Sequence, residues 1–293
     1  MDAELASAVT LAAVMGLLIG SFLNVVIHRL PKMMERQWAL EAAAFQAEQS
    51  GADIGIEAAK PQDTFNLMVP RSRCPSCGHL ITWYENIPVI SYLFLRGKCA
   101  GCRTPISPRY PAVELATGAL FFFCIQHWGA NPAGVAWCAF SAVLITLAFI
   151  DWDTTLLPDD LTLPLLWGGL LASAMQWTQV PLQSAVFGAI AGYMSLWLVY
   201  WAFKLATGKE GMGYGDFKLF AALGAWFGWE ALVPIILMSS VIGAIVGIAL
   251  KIFSNLREGG YVPFGPFLAG AGFTAMVFGP KAILDTVLRA FGL

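Results

Sequence analysis

Residues 137–151 read WCAFSAVLITLAFID, fourteen apolar or small residues closed by a carboxylate, Asp151. A second carboxylate opens another apolar run, in Gly213-Tyr214-Gly215-Asp216-Phe217. A charge at the edge of a membrane span is costly unless a partner or water reaches it. Two such aspartates on two long hydrophobic segments therefore point to a site where they meet.

The rest of the chain agrees with a bilayer setting. Of 293 residues, 58% are hydrophobic and 12% charged, where a soluble domain carries about 25% charged residues. The apolar residues fall in long blocks, which implies a polytopic membrane protein rather than one large soluble core. The net charge of −2 argues against nucleic acid or any strongly charged partner. The opening residues MDAELASAVT carry acids where a secretory signal carries positive charge, so the first span is expected to stay in place.

Hydropathy predicts about eight spans, over roughly 5–28, 113–128, 133–150, 161–177, 183–205, 217–229, 231–251 and 262–280. The sixth is short and interrupted by Gly224 and Gly228, a pattern that suits either a functional cavity or close helix packing. The longest polar stretch, 29–112, holds ten of the seventeen Lys and Arg residues: Arg29, Lys32, Arg36, Lys60, Arg71, Arg73, Arg96, Lys98, Arg103 and Arg109. The positive-inside rule makes that side cytoplasmic. Counting through the spans then places 151–160, 204–216 and 251–261 on the same side, and Lys204, Lys209, Lys251 and Arg257 agree. Lys281 and Arg289 fall outside, a mild exception. Asp151 and Asp216 are thereby predicted at the same cytoplasmic depth. Residues 33–58, rich in Ala, Glu and Gln, read as an amphipathic or partly disordered helix. Met33, Met34, Trp38 and Phe45 can rest on the membrane surface, or the segment is a tolerated insertion.

Cys124 and Cys138 lie inside apolar spans and read as small buried hydrophobes. Cys74-Pro-Ser-Cys77 and Cys99-Ala-Gly-Cys102 form a separate pair of CxxC turns with 21 residues between them. That spacing predicts a four-thiolate zinc site, and a reducing cytoplasm disfavours two disulfides. Gly78 and Gly101 are expected to supply the tight backbone, and His79 to be a loop residue. Four thiolates close the coordination shell, so the metal is expected to be structural. The expected fold class is an all-α polytopic membrane protein with a cytoplasmic four-cysteine zinc-binding loop.

Asp153, Asp159 and Asp160 crowd the loop after Asp151. The last two precede a span, where they favour the helix dipole, and Asp153 suits loop polarity or an N-cap. Lys218 is read as a lysine snorkelling to the interface. Glycines 211, 213 and 215 free the backbone around Asp216. Two carboxylates sharing a site hold one proton between them, and such a pair hydrolyses peptides without a metal. A buried hydrogen-bonded acid or a proton relay in a transporter fits the spacing as well.

Four ordered blocks add to this reading. They are Gly20-Ser21-Phe22-Leu23-Asn24 running to Pro31; Pro70-Arg71-Ser72-Arg73-Cys74 running through Trp83-Tyr84-Glu85-Asn86-Ile87-Pro88 and Cys102 to Arg109-Tyr110-Pro111-Ala112-Val113-Glu114; Asp151 followed seven residues later by Pro158; and the GxGD element Gly213-Tyr214-Gly215-Asp216. With these the chain resembles the type IV prepilin peptidases, bifunctional leader peptidases and N-methyltransferases of pilus and type II secretion systems. The resemblance covers most of the chain apart from roughly 33–65.

It implies a membrane aspartic protease of the GxGD type with Asp151 and Asp216 as catalytic dyad. Asp153 is the rival for the first position, and the family's spacing to the loop proline favours Asp151. The implied substrates are prepilins and pseudopilins, cut on the cytoplasmic side after the glycine that ends a short basic leader. The next residue, usually phenylalanine, is then methylated with S-adenosylmethionine. The implied localisation is a bacterial inner membrane, in contact with lipid. The implied organisation is a first transmembrane helix over 1–30, a cytoplasmic domain over 31–112 with Cys74, Cys77, Cys99 and Cys102 as zinc ligands, and a seven-helix membrane peptidase core over 113–293.

No glycine-rich nucleotide loop is visible. The methyl donor is expected to meet the loop 70–112 with Gly20, Ser21 and Asn24, unless those three only pack helices. Glu85 and Glu114 are candidate polar contacts there, and Arg71, Arg73 and Arg109 can equally bind lipid phosphates. A proton-coupled transporter leaves the cysteines unexplained, and a pilus-assembly scaffold leaves the GxGD aspartate unexplained.

Overall fold

The structure is a computed structural model that describes residues 3–50, 64–253 and 262–290. Residues 51–58 of the predicted 33–58 helix, Lys60 and Arg257 lie outside the described residues. Every regular element among the described residues is helical: α1 Ala3–Ser50, α2 Ile90–Phe94, α3 Arg109–Trp128, α4 Pro132–Thr154, α5 Asp159–Ala174, α6 Leu182–Thr207, α7 Tyr214–Phe227, α8 Leu232–Phe253, α9 Gly265–Phe278 and α10 Pro280–Ala290. The chain divides into two compact units, one of Leu11–Ala119 and one of Leu120–Leu293 with Met1–Thr10.

Among the described residues four helices are long and apolar enough to cross a membrane: Ala3–Gln49, Pro132–Thr154, Leu182–Thr207 and Trp229–Phe253. Gly265–Phe278 and Pro280–Thr286 make a fifth if that pair, bent by 109°, is one span. The remaining expected spans are helical but weaker. α5 has 16 residues and α7 has 14, about 24 Å and 21 Å of rise, short of the ~30 Å hydrocarbon core. α3 has 20 residues, with Arg109, Glu114 and His127 among them.

α1 does not stop at the predicted end of the first span. It runs through Pro31 to Ser50. The proline costs one backbone bond to the preceding turn, and the helix-forming Ala, Glu and Gln beyond it carry the helix on. In that extension Trp38, Leu40 and Phe45 are exposed.

In the larger unit α7 is the central helix. Phe217, Leu219, Phe220, Ala221, Ala222, Leu223 and Trp226 are all buried. The glycines that interrupt this span serve close packing: a side chain on Gly224 would run into the Gly188 backbone of α6. Trp226 donates its indole N–H to the Leu165 carbonyl of α5 at 2.8 Å. α4 begins with Asn131 capping the Gly134 amide at 3.1 Å and ends at Thr155, in the left-handed region at φ 57°. That turn delivers the chain into the short loop before α5.

Candidate active site and four-cysteine cluster

α4 and α7 each present one aspartate to the loop Thr155–Pro158. Asp151 sits in the last turn of α4 and Asp216 in the first turn of α7. Both are buried, at 4% and 7% exposure, and they lie within electrostatic range of each other. Asp153, two residues along, is exposed. Asp151 Oδ2 accepts the Gly265 amide at 2.8 Å. Asp216 Oδ1 is buried with no hydrogen-bond partner among the described residues.

Leu157 holds the segments around the two acids together. A Cβ on Gly215 would stand 2.5 Å from Leu157 Cβ, and one on Gly265 3.2 Å from Leu157 Cδ1. Gly213 is extended, at φ −81° and ψ 152°, and the space where its side chain would lie is 3.8 Å from Asp216 Oδ2. The glycines around Asp216 thus keep side chains away from the carboxylate. The segment ahead of them is anchored: Lys204 donates to Glu210 Oε1 at 2.8 Å, Tyr200 to the same oxygen at 3.2 Å, and the Tyr200 and Tyr214 rings lie 5.2 Å apart.

Two participants were not foreseen. Gly265, at the start of α9, supplies the amide on Asp151. Lys218, read as snorkelling to the interface, has a partner there that the sequence did not indicate: it donates to both oxygens of Asp159 at 2.6 and 2.7 Å. This pair is partly exposed, at 26% for Lys218 and 54% for Asp159, so it adds less than about 1 kcal/mol to folding. Its geometric effect is to fasten the first turn of α5 to the first turn of α7, across the loop that separates Asp151 from Asp159. Lys218→Met is expected to lower peptide cleavage by roughly ten- to a hundredfold, and the exchange Lys218→Asp with Asp159→Lys to recover most of it. A cleavage assay showing no loss in the single variant would refute this role.

An apolar groove of about 740 Å³ between α4 and α5, lined by Val135, Ala139, Val143, Pro164 and Gly168 among others, is a separate feature. Its nearest α4 residue, Val143, precedes Asp151 by about 12 Å of helix rise.

In the smaller unit the Sγ atoms of Cys74, Cys77, Cys99 and Cys102 all lie within 4.8 Å of one another. This four-cysteine cluster can hold a metal ion. Each CxxC forms a knuckle closed by one antiparallel bridge, Arg73 with Leu80 and Lys98 with Pro105. In the first, the Gly78 amide returns to the Cys74 carbonyl at 2.9 Å, and Gly78 is left-handed at φ 73°. In the second the matching residue is Arg103, at φ 62°, whose amide bonds the Cys99 carbonyl at 3.0 Å. The expectation that Gly101 makes that turn is corrected. Gly101 makes room instead, since a Cβ there would meet His79 Cβ at 3.3 Å and Cys77 Sγ at 3.5 Å.

Two of the thiols are held low by donors, while the neighbouring Cys102 thiol helps push Cys77 up to about 11. The amides of Cys77 and Ser76 hold the Cys74 thiol below its ordinary value, and the Thr104 hydroxyl and amide hold Cys102 down to about 6. His79 faces Glu85 at 3.1 Å. The Glu85 carboxyl is held low first by the Thr82 amide and hydroxyl, then by His79.

Gly20, Asn24 and Arg29 of α1 fasten this unit internally. A Cβ on Gly20 would stand 2.7 Å from Glu114 Cα, so the glycine lets α3 approach. Asn24 Nδ2 donates to the Tyr110 carbonyl at 3.1 Å, and Arg29 to the Asn66 carbonyl at 2.9 Å.

The two units coincide closely with two matched families. Residues 14–128 match the bacterial peptidase A24 N-terminal domain, and residues 138–248, which hold both aspartates, match the type IV leader peptidase family. The chain belongs to the type IV leader peptidase family. A prepilin leader peptidase/N-methyltransferase of Aeromonas hydrophila is 52% identical over 271 residues, 92% of this chain and 90% of the relative. One of Pseudomonas aeruginosa is 50% identical over 95% of this chain and 92% of its own. One of Burkholderia pseudomallei is 49% identical over 92% and 84%. No solved structure matches the chain. The four cysteines lie in the N-terminal match and both aspartates in the leader peptidase match, and the relatives align across both.

Proposed function

We propose that this protein is a bifunctional prepilin leader peptidase and N-methyltransferase. It cuts prepilins and pseudopilins after the glycine that ends the basic leader, and it methylates the new N-terminus with S-adenosylmethionine. The observation that carries the peptidase reading is the pair of buried aspartates, Asp151 and Asp216, brought from the ends of two apolar helices to one loop. At such a pair one carboxylate is ionised and its partner holds a proton. The ionised member takes a proton from water, the water oxygen attacks the glycine carbonyl, and the protonated member gives its proton to the carbonyl oxygen. Collapse of the tetrahedral intermediate returns a proton to the leaving nitrogen, and no covalent enzyme intermediate forms.

The dyad faces the cytoplasm in a bacterial inner membrane, and the chain has about eight spans, the shorter helices α3, α5 and α7 among them. The chain is organised as a first membrane helix over 1–30, a cytoplasmic domain over 31–112 and a membrane peptidase core over 113–293. Burial of Asp151 and exposure of Asp153 support Asp151 as the first catalytic position. Cys74, Cys77, Cys99 and Cys102 hold a structural zinc ion, and the approach of their four sulfurs to within 4.8 Å of one another supports this. The methyl donor supplies a transferable methyl group when bound, and the residues that meet it lie in the 70–112 segment with Gly20, Ser21 and Asn24. A transporter is not favoured, because it explains neither the cluster nor the family.

The test mixes the purified protein in detergent with a prepilin and S-adenosylmethionine and reads the product mass. A product shortened by the leader and carrying one added methyl group is expected, and an unchanged substrate would refute the reading. Replacing Cys74 and Cys77 together by Ser is expected to remove bound zinc, measured by elemental mass spectrometry. It should reduce methylation or thermal stability by much more than cleavage, because folding energy resides in the metal site. Equal and complete loss of both activities in a well-folded variant would contradict that division.

A further inference from the structure

Glu114 is a buried carboxylate that the peptidase chemistry does not use. It lies six residues into α3 at 8% exposure. Its Oε2 accepts the Val89 amide at 2.8 Å, and the Ser21 hydroxyl of α1 donates to the same carboxylate. Among the described residues no lysine, arginine or histidine pairs with it. A buried charge without a counter-charge is unstable, and where one persists a ligand or a function accounts for it.

The backbone around Glu114 is arranged at a cost. Val89 stands at φ 60° and ψ −47°, a region that branched side chains avoid, and this conformation aims its amide at the carboxylate. Gly20 has no side chain where α3 crosses α1, its missing Cβ lying 2.7 Å from Glu114 Cα. Residues close in sequence to this site are exposed: Ile90, next to Val89, at 52%, and Tyr110, one turn back along α3, at 45%. The site therefore offers a desolvated carboxylate whose two neighbouring donors, the Val89 amide and the Ser21 hydroxyl, are already engaged.

We infer that Glu114 binds an onium cation during methyl transfer, either the sulfonium of the methyl donor or the ammonium of the newly exposed N-terminus. This rests on the N-methyltransferase reading. In that reaction an N–C bond forms, an S–C bond breaks with its electron pair left on sulfur, and a proton leaves the nitrogen. Positive charge thus disappears from sulfur. A carboxylate counter-charge favours the cationic donor over its neutral product, which helps loading and release.

Glu114→Gln is the deciding variant, because the amide oxygen still accepts from Val89 while the charge is gone. Glu114→Asp, which keeps the charge on a shorter arm, is the partial-rescue control. S-adenosylmethionine and the neutral S-adenosylhomocysteine are titrated calorimetrically into wild type and both variants. KM and kcat are then measured with a pre-cleaved, unmethylated pilin peptide, alongside prepilin cleavage and thermal unfolding.

If the sulfonium is the ligand, Glu114→Gln loses the preference for the cationic over the neutral compound by about ten- to a hundredfold, with cleavage unchanged. If the ammonium is the ligand, that preference stays and the KM for the peptide rises by a similar factor. The proposal is overturned if neither quantity moves, or if Glu114→Gln loses cleavage and thermal stability along with methylation. Wild-type protein that cleaves but never methylates would instead overturn the methyltransferase reading itself.

Discussion

Asp216→Asn is expected to lower prepilin cleavage by at least about a thousandfold, within the range that positioned acid–base groups contribute, while the protein stays folded. Asparagine has the size of aspartate, so the packing of the α7 first turn is kept. The variant cannot carry the proton that the pair passes between water and substrate. Asp216 Oδ1 is buried without a partner among the described residues, and the asparagine oxygen can keep the backbone bond from Gly213. The exchange also removes the need to share one proton between two buried carboxyls. The unfolding temperature in detergent is therefore expected to hold or rise as activity falls. Methylation of a pre-cleaved pilin should continue, since the four-cysteine unit does not include this residue. Cleavage near the wild-type rate would exclude Asp216 from the chemistry. A fall in the unfolding temperature together with loss of both activities would mean that the residue acts through folding.

Gly265→Ala is expected to cost about a hundredfold in cleavage, the penalty of displacing a catalytic group by roughly an ångström. A Cβ at this position would stand 2.6 Å from Asp151 Oδ2, 3.1 Å from its Cγ and 3.2 Å from Leu157 Cδ1. The Asp151 carboxyl is the movable partner, so the added methyl turns it away and lengthens its bond to the Gly265 amide, now 2.8 Å. Gly265 is not among the residues with positive φ, so alanine suits its backbone and the effect is steric. Gly270→Ala on the same helix meets nothing within 4 Å and serves as the control, with cleavage expected unchanged. Single-turnover cleavage of both variants checks the pair. Equal rates for Gly265→Ala and wild type would show that the α9 amide does not position Asp151.

Much of this arrangement is legible in the sequence because its signals are local. A run of apolar residues ending in Asp151, a glycine-flanked Asp216 and two CxxC turns each declare themselves within a dozen residues. What stays hidden is long-range or depends on conformation. Gly265 lies 114 residues beyond Asp151, and the segment Val262-Pro263-Phe264-Gly265-Pro266 reads only as a helix start, the role it also has. Lys218 carries nothing that separates an interface lysine from one paired with Asp159, because the pairing depends on how α5 meets α7. Pro31 reads as a helix boundary by propensity, yet α1 continues through it to Ser50. The second cysteine turn uses Arg103 where glycine is the natural guess, because a left-handed residue is required one position after Cys102 and the sequence places arginine there. Glu114 reads as a candidate polar contact at the methyl-donor site, and the approach of Val89 and Ser21 shows it to be a buried, hydrogen-bonded carboxylate.

The most direct test of the catalytic assignment is one mass-spectrometric experiment on purified wild type, Asp151→Asn, Asp153→Asn and Asp216→Asn, each incubated with prepilin and S-adenosylmethionine. The account predicts a shortened, methylated product from wild type and Asp153→Asn, and intact prepilin from Asp151→Asn and Asp216→Asn. Intact prepilin from Asp153→Asn with normal cleavage by Asp151→Asn would contradict it, moving the first catalytic carboxylate from the buried end of α4 to the exposed residue beyond it.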